Sequence, residues 1–266
     1  MSFYISKKNG ELIFRNISGY ETRNQSTFWC IKKADEIYKW KDFEEIKICT
    51  HDFETSDYDL TYSKQYSFLN LIPDFNFHAW PQVGIEDYEK TIIKIQKAGL
   101  KKFQLNKIGW IGNIQTNFMR RKLLELGEMN KNMLDIFEMT WNKSNSILLN
   151  STKYISLENL VKKYSILLDI EGNGYSGRLK YLLWSFRPVI IVDRPHKEYF
   201  FEHLKEWKHY IPVKRDLSDL IEKAFWIFTH YEEAKKIADN AFLFSKKYLT
   251  RKACYKKWNE IIYFYG

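Results

Sequence analysis

Residues 164–191, Tyr164-Ser-Ile-Leu-Leu-Asp-Ile-Glu-Gly172-Asn-Gly174-Tyr-Ser-Gly-Arg178-Leu-Lys-Tyr-Leu-Leu-Trp-Ser-Phe-Arg-Pro-Val-Ile-Ile191, decide the fold of this 266-residue chain. The apolar run Ile166–Ile170 stops at Gly172 and Gly174. Apolar residues return with helical spacing at Leu179, Leu182 and Leu183, and a second β-type run follows at Val189–Val192. Strand, glycine turn, helix and strand form one βαβ unit. The turn then sits where a helix N-terminus leaves backbone N–H groups without intrahelical partners. Ser176 is the expected N-cap. Arg178 would lie in the first turn, where a cation opposes the helix dipole unless an anion is bound beside it. The combination points to a diphosphate; the plain alternative is a tight turn with a surface arginine.

Outward from this unit the same alternation continues. Phe103–Ile111 reads as a strand ending in Gly112-Asn113, and Asn117–Leu126 as the helix after it, with Arg120 and Arg121 near its start. Glu86–Ala98 reads as a helix. The first third reads as strand-like segments among loops, with Glu45–Cys49 the clearest buried strand and a polar break at Thr50–Asp52. Downstream come a helix around Glu198–Lys205, a short strand His209–Val213 and a helix Asp216–Phe228 capped by Asp216 or Ser218. A long helix Tyr231–Leu249 and an amphipathic helix Arg251–Phe264 complete the chain. The polar stretch Trp141–Thr152 is the expected hinge. Alternating β and α elements in both halves predict an α/β fold with two open sheets, in domains of residues 1–145 and 146–249. Ligands in such sheets bind beyond the carboxyl ends of strands, where the turns at Gly112 and Gly172–Gly174 both fall, so a ligand is expected in a cleft between the domains.

Composition narrows the function classes. No window approaches 18 uninterrupted apolar residues, so no transmembrane helix is expected. The start, Met-Ser-Phe-Tyr-Ile-Ser-Lys-Lys-Asn, lacks the apolar core of a signal peptide, which makes the cytoplasm the expected location. Cys30, Cys49 and Cys254 form no ligand spacing, and neither do His196 and His203, so no metal site is expected from them. A formal charge of +9 implies an anionic partner. The basic pairs Lys246–Lys247, Arg251–Lys252 and Lys256–Lys257 fall on the C-terminal helices. They read as solvated faces, with nucleic-acid binding as the alternative function.

Three segments carry a resemblance to a known family. They are Lys163-Tyr164, Asp169–Leu183 and His209-Tyr-Ile-Pro-Val-Lys-Arg-Asp-Leu-Ser-Asp-Leu220; Ala234-Lys-Lys-Ile-Ala-Asp-Asn-Ala241 follows them. Together they resemble the CAP10-type glycosyltransferases, family 90, in a short form of microbial or viral type. Ile72-Pro-Asp-Phe-Asn-Phe-His-Ala-Trp-Pro81, Gly109-Trp-Ile-Gly-Asn113 and Arg120-Arg-Lys-Leu-Leu124 resemble its weaker upstream motifs. The resemblance implies a GT-B architecture of two Rossmann-like domains facing each other across a cleft. The C-terminal half would bind the donor, and helix 250–266 would return to the N-terminal acceptor domain. It also implies a UDP-sugar donor, xylose ahead of glucose, a glycan hydroxyl acceptor, inversion at the anomeric carbon and no essential metal. For a viral protein the expected location becomes the host cytoplasm.

Mapped onto this chain, the resemblance makes Asp52 the general base that takes the acceptor proton. Arg178 becomes the diphosphate ligand, since guanidinium pairs bidentately with phosphate and keeps its charge when buried. Ser176, Gly177 and the backbone of Gly174 complete the cradle. Arg120 is expected to approach from the opposite domain, with Arg121 in its place if the alignment slips by one. Tyr164 stacks on uracil or serves as a core tyrosine, Glu198 accepts ribose hydroxyls, and His209 and Asp216 occupy family positions or shape their loop. Asp57-Tyr58-Asp59 spells a metal–diphosphate motif of another glycosyltransferase architecture, but its polar acidic surroundings read as solvated loop.

Overall fold

In a computed structural model, which describes residues 1–53, 58–65, 67–139 and 154–266, the apolar runs become strands and most of the helically spaced segments become helices. The chain opens with β1 (Ser2–Lys8), β2 (Glu11–Arg15), α1 (Glu21–Tyr38), β3 (Phe43–Cys49), β4 (Leu60–Thr61) and β5 (Lys64–Gln65). It continues through α2 (Tyr88–Gly99), β6 (Leu105–Gly112), α3 (Phe118–Met129), β7 (Leu134–Glu138), α4 (Leu157–Lys163) and β8 (Tyr164–Asp169). A single turn α5 (Leu179–Leu182), β9 (Val189–Val192), β10 (His196–Lys197) and β11 (Ile211–Val213) follow. The helices α6 (Leu220–Thr229), α7 (Tyr231–Tyr248) and α8 (Arg251–Tyr265) end it. Among the described residues no helix is long and apolar enough to cross a membrane.

These elements form two compact units. One comprises Met1–Trp80, Pro195–His203 and Lys247–Gly266, the other Pro81–Arg194 and Leu204–Lys246. The break therefore falls at Trp80/Pro81 and not at 145/146. The reason is strand pairing: β6 and β7, expected with the N-terminal half, hydrogen-bond into the same sheet as β8. The expected hinge Trp141–Thr152 lies outside the described residues.

The second unit is built on a five-stranded, all-parallel sheet of order β11-β9-β8-β6-β7. In chain order this is the doubly wound arrangement 2-1-3-4-5, whose connections change direction between β6 and β8. Period-two alternation sends Ile108, Trp110, Ile166, Leu168, Ile190 and Val192 to one face. There they meet Leu123 of α3, Leu220, Ala224 and Ile227 of α6, and Ala234 and Ile237 of α7. Each fully buried aliphatic side chain contributes roughly 1.5–3 kcal/mol, so this cluster dominates the unit's stability. On the other face lie α4 and α5, against β8, with α2 packed on both. Side-chain caps fix the helix starts nearest the strand ends: Asp87 accepts from Lys90 N at 2.8 Å and Asn117 from Met119 N at 2.8 Å.

In the first unit β1 is central, antiparallel to β2 and β3, and β3 pairs parallel with β4. Phe3 of β1 meets Phe28 of α1 edge to face, with ring centroids 4.8 Å apart. Helix α8 lies along α1, burying Cys254 and Trp258, and Trp40 Nε1 just beyond α1 donates to Asn259 Oδ1 at 2.8 Å. The Arg251 guanidinium sits 4.7 Å from the Trp29 ring centroid and donates through Nε to Phe77 O at 2.9 Å.

Helix α1 departs from the expectation of strand-like segments. Its buried face mixes Asn24, Ser26 and Thr27 with Phe28, Ile31 and Ala34, which blurs the apolar stripe in the sequence. Tertiary partners satisfy those polar groups. Ser26 Oγ donates to Ala79 O at 3.1 Å, and Thr27 Oγ1 shares a hydrogen bond with Tyr62 OH at 2.7 Å. Likewise the expected helix around Glu198–Lys205 is only a 3-10 turn, Tyr199–His203.

Candidate active site

The switch between β6 and β8 brings two strand exits side by side, and both carry glycine turns. At the end of β6, a Cβ on Gly112 would lie 2.5 Å from the Trp110 ring, so this exit accepts only glycine without a shift of the indole. Asn113 and Asn117 then lead into α3. Arg120, in its first turn, reaches across to the exit of β8. Its Nε donates to Glu171 O at 2.8 Å, Nη2 to Ile170 O at 3.3 Å and Nη1 to Asn113 O at 3.0 Å. Arg120 thus staples the two loops together. It comes from the same unit as Arg178, not from an opposing domain, because α3 belongs to the same parallel sheet. Burial, followed by the nearby Arg178 charge, pushes Arg120 down to about 9. Arg121, one residue on, is exposed.

Asp169, the last residue of β8, organises the turn itself. It is buried, and both carboxylate oxygens are engaged: Ser176 Oγ donates to Oδ1 at 2.7 Å and Arg194 Nη2 to Oδ2 at 2.6 Å. Ser176 is therefore not the helix cap. Arg178 occupies that position at the start of α5, a single turn too short for a substantial dipole. Anion preference here comes instead from guanidinium groups. Gly174 is buried and Gly177 half-buried in the same turn, and Gly172 N donates to Tyr175 O at 3.2 Å.

Arg178 is half-buried. Its Nη1 is shut off from solvent and has no hydrogen-bond partner among the described residues. Burial depresses its pKa, with the Asp169 charge opposing. A buried donor left without an acceptor costs roughly 1–3 kcal/mol, more when charged. A phosphate oxygen is the acceptor that suits it. Arg215 Nη2 reaches Glu171 Oε1 at 3.3 Å, as does Asn117 Nδ2 at 3.2 Å. Four guanidinium groups, from Arg120, Arg178, Arg194 and Arg215, thus surround two carboxylates, Asp169 and Glu171. The excess is positive.

The residues expected at the nucleoside have the following surroundings. Tyr164 opens β8, so it lies at the opposite end of the strand from Asp169, about 17 Å away at roughly 3.3 Å per residue. Its hydroxyl donates to Asp135 Oδ2 at 2.6 Å, and its ring fills the space over Gly109, where a Cβ would come within 1.9 Å. It is a core tyrosine and not a uracil platform. Glu198, in the first unit, is buried just before the 3-10 turn, where its carbonyl accepts from Phe201 N at 2.9 Å. His209 Nδ1 accepts from Lys205 N at 2.9 Å, and its ring centroid lies 5.0 Å from that of Phe244. Burial, then Lys208 and Lys205, lowers its pKa to about 4, so this imidazole is neutral and shapes its own loop. Asp216 is exposed and accepts from Ser218 N at 3.0 Å.

In the first unit, Asp52 follows β3 in a bend. Its Oδ1 accepts from Arg23 Nη1 at 2.6 Å, and its carbonyl accepts from Ser63 Oγ at 2.9 Å. Arg23 in turn lies over the Tyr20 and Phe75 rings, 4.9 and 5.0 Å from their centroids, which orients the pair. The side chain of Asp52 remains 29% exposed, open enough to meet a substrate hydroxyl. Asp57 and Glu54 lie outside the described residues. Asp59 is buried beside Lys47, with 3.6 Å between them, so that end of the acidic motif is not solvated loop. Among the described residues no group of three or more His, Cys, Asp or Glu could hold a metal ion.

Asp169, Glu171, Asn117, Arg194 and Arg215 were not among the expected site residues. Their signal was position: charged or amide groups just at or after the carboxyl ends of buried strands, which only the strand order makes neighbours.

With this geometry in place, similarity to known proteins becomes informative. The model of glycosyl transferase family 90 matches residues 59–266, and the chain belongs to that family. It is similar to Protein O-glucosyltransferase 3 of Homo sapiens, 36% identical over 104 residues that cover 39% of this chain and 20% of that protein. Protein O-glucosyltransferase 2 of Danio rerio is 32% identical over 166 residues, 61% of this chain and 33% of that protein. The matched part of the chain thus spans 20% to 33% of the length of these relatives. Among solved structures, Anabaena Alr3699/HepE in complex with UDP-glucose aligns with a TM-score of 0.40 at 10% identity, over 70% of this chain and 46% of that one.

Proposed function

We propose that this chain is an inverting, metal-independent glycosyltransferase that moves a sugar from a UDP-sugar to a glycan hydroxyl. The observation that carries the reading is the buried Nη1 of Arg178, without a hydrogen-bond partner among the described residues, at the strand-exit switch of a family 90 chain. In the proposed reaction the acceptor oxygen bonds to the anomeric carbon while the bond from that carbon to the β-phosphate oxygen breaks. Asp52 takes the acceptor proton, and Arg178 offsets the charge that grows on the departing diphosphate. Ser176, Gly174 and Gly177 shape the turn around the diphosphate; Gly112 and Arg120 hold the neighbouring exit in register with it. The second unit is the donor-binding part and the first carries the base, within the GT-B architecture that the family resemblance implies.

The family resemblance placed xylose ahead of glucose as the donor sugar. The relatives above are named O-glucosyltransferases, which supports glucose, and the proposal carries both as candidates. A donor screen measuring UDP release, with UDP-glucose and UDP-xylose against a panel of glycan acceptors, tests it. Release with one of the two, stimulated by acceptor, is the expected result. No release from any UDP-sugar across the panel would count against the enzyme reading.

A further inference from the structure

Asp169 is near enough to Arg178 for its charge to act there, while each of its carboxylate oxygens meets another partner. Ser176 Oγ occupies Oδ1 at 2.7 Å and Arg194 Nη2 occupies Oδ2 at 2.6 Å. Arg194 is 1% exposed and stands two residues past the end of β9, the strand beside β8. Its Nε is fixed on Val192 O at 3.3 Å, and Nη2 also meets the Asp169 carbonyl at 3.3 Å. The result is unusual for a buried cluster. Both carboxylate oxygens are engaged while the Arg178 guanidinium keeps a sealed N–H without an acceptor among the described residues.

We propose that Arg194 is a positioning residue for donor binding: by neutralising Asp169 it keeps that carboxylate off Arg178 and so leaves Arg178 Nη1 available to the diphosphate. The physical reason is competition. An ionised carboxylate in a low-dielectric site pairs with whichever guanidinium is in reach, and its charge is felt at Arg178, where it favours the cationic form. Without Arg194, Asp169 would turn its uncompensated charge and a free oxygen toward Arg178, and a nucleoside diphosphate would have to displace it. The inference rests on the reading of Arg178 as the diphosphate ligand.

A rescue experiment separates this role from simple structural support. Calorimetry with UDP and with uridine is run on the full chain and on Arg194→Lys, Arg194→Met and Arg194→Met/Asp169→Asn, with a thermal melt of each. Arg194→Met should bind UDP at least about tenfold more weakly with uridine affinity unchanged, since only the phosphate contact is contested. Arg194→Lys keeps the charge on Asp169 and should stay within about threefold of the unmodified chain. The double variant removes the competitor together with its guard, and UDP affinity should return to within about threefold. A double variant as weak as Arg194→Met, or an Arg194→Met variant with unchanged UDP affinity, overturns the inference. Breaking a buried pair from one side is costly. If Arg194→Met does not fold, the double variant decides: UDP binding near that of the unmodified chain supports the proposal, and its loss overturns it. If the unmodified chain itself binds no UDP, the assignment of Arg178 fails first and takes this inference with it.

Discussion

In the proposed reaction Arg178 would meet a charged diphosphate in both the ground state and the transition state. Arg178→Ala is therefore expected to weaken UDP binding and turnover together, by roughly 2–4 kcal/mol in the transition state. Asp52, as the proposed base, would act only as the proton moves. Asp52→Asn should leave UDP affinity intact while turnover falls by about two to four powers of ten. Calorimetry with UDP beside a turnover assay checks both; near-normal turnover in Asp52→Asn would move the base to Asp74 or Glu54. His209 makes a prediction of a different kind. Its pKa in the folded chain, about 4, lies below the ordinary value of 6.5. In the window between them the unfolded chain binds a proton that the folded one refuses, so stability falls as pH drops from 6.5 toward 4. His209→Asn, whose amide oxygen can still accept from Lys205 N, should lose less melting temperature than the unmodified chain between neutral and mildly acidic pH.

Packing of whole elements depends on a few close approaches. On β6, Gly109→Ala would drive a Cβ to 1.9 Å from the Tyr164 ring, which pins the start of β8. Denaturant melts should show a loss of about 1–3 kcal/mol or more, because the ring has nowhere to move within the parallel sheet. In the first unit, Trp258 anchors α8 and is fully buried, but its Nε1 has no hydrogen-bond partner among the described residues. Trp258→Ala should cost about 3–5 kcal/mol through the cavity it leaves. Trp258→Phe should cost clearly less, since the group it deletes makes no hydrogen bond. Equal losses in the two variants would show that the indole N–H matters after all. Short elements were the hardest to anticipate. α5 keeps a single turn where a longer helix was expected, because Ser176 is spent on Asp169 and the chain turns into α5 only at Leu179.

For the molecule as a whole, the assignment of diphosphate charge to arginines predicts independence from divalent cations. UDP should raise the melting temperature, and sugar transfer should persist in excess EDTA. Strict dependence on manganese would contradict the role given to Arg178. The formal charge of +9 is distributed in a way that bears on this. Part of it concentrates at the β6/β8 exits, where Arg120, Arg178, Arg194 and Arg215 outnumber Asp169 and Glu171. Part is offset locally, as on α8, where Lys256 and Lys257 lie 3.9 and 3.7 Å from Glu260.

The sequence alone determined the βαβ unit around Gly172, the strand expected at Phe103–Ile111 and found at Leu105–Gly112, and most of the long helices. Those features rest on local periodicity and turn residues, which are written within a few residues of one another. Helix α1 was hidden because polar residues interrupt its buried face, and their partners Ala79 and Tyr62 come from distant segments. Tertiary structure decided the rest through strand order. Placing β6 beside β8 moved the boundary to Trp80/Pro81 and put Arg120 in the same unit as Arg178. The direction of β8 puts Tyr164 at the end of the sheet opposite Asp169, and the pairing of β9 with β8 lets Asp169 and Arg194, 25 residues apart, close a buried ion pair. Sequence spacing carries no record of which strands become neighbours, because that choice is made by the burial of whole faces and not by any local preference.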